Sequence, residues 1–226
     1  MRRFSALGAL LTALGAVLGT TAPALAQDQT DNESWDGGFG KKNERRSDVV
    51  LGFSPGLVLT SASGYPNEIG KLNQPAYRVD SGLNAGPGFQ AWLGGALTDW
   101  FSFGLGGSYF SGASADTELS GGAFLVRIET FPLYKLGGGW RDLAIFANFG
   151  AGGLGVSRKS EVAGEPDKRA SAGFASMGGA GVAYELFRAW HFTFAPTAEY
   201  LLISSQSLTA HQSLIGARVV FYGGPG

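Results

Sequence analysis

Two histidines, His191 and His211, and no cysteine leave the chain little with which to hold a metal or build a thiol nucleophile. A serine hydrolase needs serine, histidine and a carboxylate within reach. The pairs on offer are His191 with Glu185, and His211 with Ser205 or Ser213. Serine is so common here that such neighbours arise by chance. The glycine runs Gly104-Leu105-Gly106-Gly107 and Gly150-Ala151-Gly152-Gly153-Leu154-Gly155 contain no G-x-x-x-x-G-K-[ST] and open no helix, so they are not phosphate loops. The remaining chemistry is charge pairing. Arg127, Glu129, Glu185, Glu199 and Arg218 interrupt stretches that are otherwise apolar or small. What they do depends on the elements that carry them.

Those elements alternate with a period of two. Strands are predicted near 48–60, 81–97, 100–112, 119–132, 142–157, 170–186, 190–203 and 211–222. In the first, Val49, Leu51, Phe53, Pro55, Leu57 and Leu59 share one face, opposite Val50, Gly52, Ser54, Gly56, Val58 and Thr60. In the third, Phe101, Phe103, Leu105 and Tyr109 oppose Ser102, Gly104, Gly106 and Ser108. The seventh sets Trp190, Phe192, Phe194, Pro196, Ala198, Tyr200 and Leu202 against His191, Thr193, Ala195, Thr197 and Glu199. A soluble sandwich would bury the bulky face and leave an outside of glycine, alanine and serine, with few charges to keep it dissolved. A barrel in lipid reverses the assignment: bulky groups meet hydrocarbon, and small or polar ones fill a narrow lumen.

All five charges fall on the small, polar face. An interior network is therefore expected from Arg127, Glu129, Glu199 and Arg218, joined by Gln90, with Glu185 at the end of its strand. Leu125, Met177, Leu201, Leu214 and Tyr222 share that inward parity, which argues for a packed rather than an open lumen. Trp92 also points inward, as a core aromatic.

Composition fits this reading. The chain has 226 residues, 44% apolar types, 15% charged types, 37 glycines and a net charge of −1, which excludes a disordered polyelectrolyte and gives nucleic acid no basic field. Arg2 and Arg3, the apolar run from Leu7 to Leu18 and Ala24-Leu25-Ala26 have the form of a cleavable export signal over 1–26. Residues 27–47 read as a flexible periplasmic segment, and 48–226 as one barrel domain. Short links are expected around Asp99, at 135–141 and at 188–189. Longer ones are expected at 61–80, 113–118, 158–169 and 204–210, which puts the long loops on one rim and both termini on the other. An aromatic girdle is expected from Trp100, Tyr134, Trp140, Tyr184, Trp190 and Phe221, with Tyr222 beside them.

Together these features resemble the small outer-membrane β-barrel proteins of Gram-negative bacteria, the superfamily of the OmpA membrane domain and the OmpX-like barrels. The resemblance covers about residues 48–222 and rests on pattern and topology. It implies an all-β, eight-stranded antiparallel up-and-down transmembrane barrel in the cell outer membrane. Implied partners are outer-membrane lipids, lipopolysaccharide and, during insertion, the barrel-assembly machinery. The last strand, Arg218-Val219-Val220-Phe221-Tyr222, resembles the strand that machinery recognises, although Gly223-Gly224-Pro225-Gly226 follows it. The expected role is that of a monomeric, porin-like but non-enzymatic barrel with a packed polar interior, no cofactor and no metal, serving envelope integrity or surface contact through its loops. A narrow small-solute channel and a lipid-modifying outer-membrane enzyme are the alternatives.

Overall fold

The computed structural model describes residues 46–136, 138–160 and 167–223. The export signal and all of the leader except Arg46 and Ser47 lie outside them. Among the described residues nine strands form: β1 (Asp48–Gly64), β2 (Val79–Thr98), β3 (Phe101–Ala113), β4 (Thr117–Thr130), β5 (Leu143–Arg158), β6 (Lys168–Tyr184), β7 (Phe187–Ala189), β8 (Phe192–Ser204) and β9 (Leu208–Tyr222). Consecutive strands from β1 to β6 and from β7 to β9 pair antiparallel, β1 pairs with β9, and β6 pairs with β8 to close the ring. Eight long strands therefore make a closed up-and-down barrel with no free edge in its wall among the described residues.

The ninth strand is a continuation. Ala183 faces Thr197 and Phe187 faces Phe194, so the β6 side carries one residue more than β8 between these pairs. Glu185 keeps the inward parity of Ala183, and the bulge beyond it leaves Leu186 and Phe187 both facing out. The turn expected at 188–189 moves to Trp190-His191, and Trp190 takes a left-handed φ of 55° at its first position.

The face assignment holds around the ring. Leu51, Leu57, Phe103, Leu105, Phe124, Phe149 and Phe194 are exposed on the outside, whereas Ser54, Thr60, Ser102, Thr193 and Thr197 are buried inside. Among the described residues no helix is long and apolar enough to cross a membrane.

Three expectations need correction. First, the strands run further than their apolar pattern, because pairing continues through polar residues such as Glu118 with Ser157. Two links expected to be long shrink to 114–116 and 205–207, leaving 65–78 and 159–167 as the long ones on the upper rim, while 131–142 on the lower rim, expected to be short, holds two 3₁₀ turns. Second, Arg46 and Ser47 are not part of a flexible leader but are buried. Asp48 adopts a left-handed φ of 61°, which an Asp tolerates, and this turns the preceding chain back under the barrel mouth. Third, among the described residues the buried charges are confined to the lower half, while the upper half keeps only neutral polar groups such as Thr60, Asn84, Thr117 and Gln212. The upper half is otherwise an apolar core that includes Val58, Phe110, Leu119, Leu154, Val156 and Ile203.

Candidate functional site: the lumen and its two seals

The lower mouth is closed by residues from five separate segments. Arg46 donates from its backbone N–H to Asp99 Oδ1 at 2.9 Å. Its guanidinium reaches Glu185 Oε2 at 2.5 Å and Asp142 Oδ1 at 3.0 Å, and lies 3.5 Å from the centre of the Phe131 ring. Burial works against this charge, but the Glu185 and Asp142 carboxylates outweigh it, and the Arg46 pKa sits above its ordinary value. The Tyr222 hydroxyl donates to the other Glu185 oxygen at 2.8 Å. The β4–β5 link adds Phe131, which is fully buried and packs with Ala144, Phe146, Ala183 and Ala195.

Above this lies a ladder of alternating charge. Arg218 approaches Glu185 at 3.8 Å and pairs with Glu129 through both terminal nitrogens, at 2.5 and 3.1 Å. Glu129 also accepts from Arg127 at 3.2 Å. The Arg127 guanidinium is held between two aromatic rings, 4.1 Å from the centre of Trp92 and 3.6 Å from that of Phe146. Both rings need glycine across the strand. A Cβ on Gly52 would fall on the Trp92 indole, and one on Gly181 on the Phe146 ring. Arg127 then donates to Gln90 at 3.4 Å, and Asn148 donates to Glu199 at 2.5 Å.

Of the charged residues expected to meet, the structure joins Arg127, Glu129 and Arg218 directly and brings in Glu185 through Arg218 and Tyr222. Glu199 is buried with them but is held by the Asn148 amide rather than by a guanidinium. Sequence reasoning missed Arg46, Asn148 and Phe146. Asn148 and Phe146 share the inward parity of Ala144, which was the available signal; Arg46 has none, because it precedes the periodic pattern. Tyr222 belongs to this interior and not to the rim.

The expected girdle residues all lie at the lower end. Trp100, Trp140 and Trp190 are exposed; Tyr184 and Phe221 are half-buried; Tyr134 is half-buried against the Phe131 cluster. His191 sits in the β7–β8 turn with its ring against Phe221, and its Nδ1 lies 3.1 Å from the Tyr222 carbonyl oxygen. His211 is far above, on the outer face of β9, with its Nδ1 2.5 Å from the Tyr200 hydroxyl. Among the described residues, no three His, Cys, Asp or Glu side chains could jointly hold a metal ion.

No protein-family model matches the chain, and no curated protein is similar to it in sequence. Solved structures with a similar fold include Ail, the attachment invasion locus protein of Yersinia pestis, at 13% identity and a TM-score of 0.49, covering 77% of this chain and 99% of that one. Neisserial surface protein A is similar at 11% identity and a TM-score of 0.46, covering 76% and 96%. The N-terminal β-barrel domain of Pseudomonas aeruginosa OprF is similar at 14% identity and a TM-score of 0.42, covering 78% and 99%.

Proposed function

We propose that this chain is a monomeric outer-membrane barrel with a sealed lumen, acting in envelope integrity or surface contact through its upper loops, with no reaction of its own. Both ends of the paired chain lie at the lower rim, which faces the periplasm in this reading, and the link 65–78 and the connection from β5 to β6 leave from the opposite rim. Trp100, Trp140 and Trp190, with Tyr134, Tyr184 and Phe221, are the aromatic ring at the inner headgroups. Arg127, Glu129, Glu185, Glu199 and Arg218 serve structure, not catalysis. Outer-membrane lipids and lipopolysaccharide are the standing partners, with the barrel-assembly machinery meeting the chain during insertion.

One observation carries the reading. The lumen is filled twice, by the charge ladder below and by apolar side chains above, and an ion would have to pass both. The test is conductance in planar bilayers with protein that shows a heat-modifiable band on gels. Current indistinguishable from a proteinless control is expected. Reproducible steps above it would replace this reading with the narrow channel.

A second reading has its own observation. Tyr200, His211 and Ser213 share the outer face where β8 and β9 pair, which is where an enzyme acting on membrane lipids would present its groups. Lipid A whose acylation is unchanged by expression of the protein supports the non-enzymatic role. Altered acylation that disappears in His211→Ala would assign the enzyme.

A further inference from the structure

Above the apolar band, the outer face of β3 to β6 changes character. Tyr109, Phe124 and Phe149 are the last bulky residues on β3, β4 and β5. Beyond them two transverse rows cross the sheet. One runs through Ser111, Ser120, Gly155 and Ser171; the other runs through Ala85, Ala113, Glu118, Ser157 and Arg169. Small side chains leave a concavity of about 650 Å³ over these rows.

We infer that this saddle seats the sugar headgroup of a glycolipid standing in the same leaflet. The inference rests on the outer-membrane reading above. Its position limits how an occupant arrives. Ser120 is four residues past Phe124, about 10 Å up a strand tilted by about 40°, so the saddle lies at headgroup depth and opens sideways to neighbouring lipids. Its chemistry selects the occupant. Four serine hydroxyls on four adjacent strands can donate to and accept from ring hydroxyls, whereas an acyl chain would leave them unpaired. Arg169 and Glu118 bear opposite charges in one row, matching a headgroup that carries both an anionic substituent and donor hydroxyls or amines. The volume falls within the roughly 300–1,000 Å³ of small-molecule sites, more than a bare phosphodiester fills. Tyr109 and Phe124 below would receive its acyl chains.

The experiment measures binding of lipopolysaccharide to the full chain in detergent micelles, with phosphatidylglycerol as competitor. Ser120→Trp fills the saddle without touching the lumen, Arg169→Glu reverses its cation, and Thr209→Trp places the same bulk on the exposed outer face of β9. Ser120→Trp should weaken binding by about tenfold or more, Arg169→Glu by a few-fold, and Thr209→Trp not at all. Phosphatidylglycerol should compete poorly. Unchanged binding by Ser120→Trp, equal loss with Thr209→Trp, or equal competition by phosphatidylglycerol would overturn the inference. A barrel that stays heat-modifiable and non-conducting yet ignores lipopolysaccharide overturns this inference, and lipopolysaccharide as a partner with it, while the sealed membrane barrel stands. A wild-type chain with no heat-modifiable band brings down the membrane reading with it.

Discussion

The lower and upper halves of the lumen solve the same packing problem with different chemistry. Below, Arg46, Glu185, Arg218, Glu129 and Arg127 alternate in sign, with aromatic rings stacked on the Arg46 and Arg127 guanidinium groups. Above, Val58, Phe110, Leu125, Leu154, Met177 and Ile203 pack as they would in a soluble core. A buried ion pair gains little over an apolar replacement of the same volume, but losing one partner is costly. The lower half is therefore fragile to single charge deletions and tolerant of paired ones, while the upper half responds to lost volume.

The sharpest way to break this contrast is Glu129→Ala. That carboxylate is shared by Arg218 and Arg127, both buried, so its loss leaves two guanidinium groups without their main partner. A loss of about 3–5 kcal/mol is expected, read as a lower midpoint for conversion of the heat-modifiable band. Conductance should stay at baseline, because the apolar half still blocks the path. A destabilisation under about 1 kcal/mol would mean that the ladder is solvated and not a buried network.

The upper half should answer to size. Leu125→Ala removes a buried side chain from this apolar core and should cost about 2–4 kcal/mol. A paired change, Leu125→Ser with Leu214→Ser, should in addition admit water, and current should appear in bilayers only if the charge ladder beneath is also disrupted. Current with the ladder intact would show that the apolar core is the sole barrier.

The sequence made this division only partly legible. Strand number, face and the inward position of all five charges follow from strict alternation, because a charge on the lipid face would cost about 2–4 kcal/mol. Leu125, Met177, Leu201 and Leu214 could be placed inward by parity, yet parity gives no height along the axis. It could not reveal that apolar residues gather above and charges below. Phe187 shows the other limit: a one-residue bulge resets the alternation after Glu185, and nothing in Tyr184-Glu185-Leu186-Phe187 announces it. Arg46 was hidden by its mixed-charge neighbours, since its burial depends on the turn at Asp48 and on carboxylates distant in sequence.

Within the lower half a finer gradient follows from exposure. Glu199 meets only neutral donors, so Glu199→Gln keeps an acceptor for the Asn148 amide and removes a buried charge; stability should change by less than about 1.5 kcal/mol, in either direction. Asp142 is the weakest link. Its side chain is partly open at the mouth, and Arg46 keeps Glu185, the Asp99 carbonyl and the Phe131 ring without it. Asp142→Asn should therefore cost no more than about 1 kcal/mol, whereas Glu185→Gln, which weakens the contacts to Arg46 and Arg218 together, should cost at least twice as much. Equal effects would place the energetic centre of the lower seal at the mouth, and the ladder above it would then be filling space without holding the barrel closed.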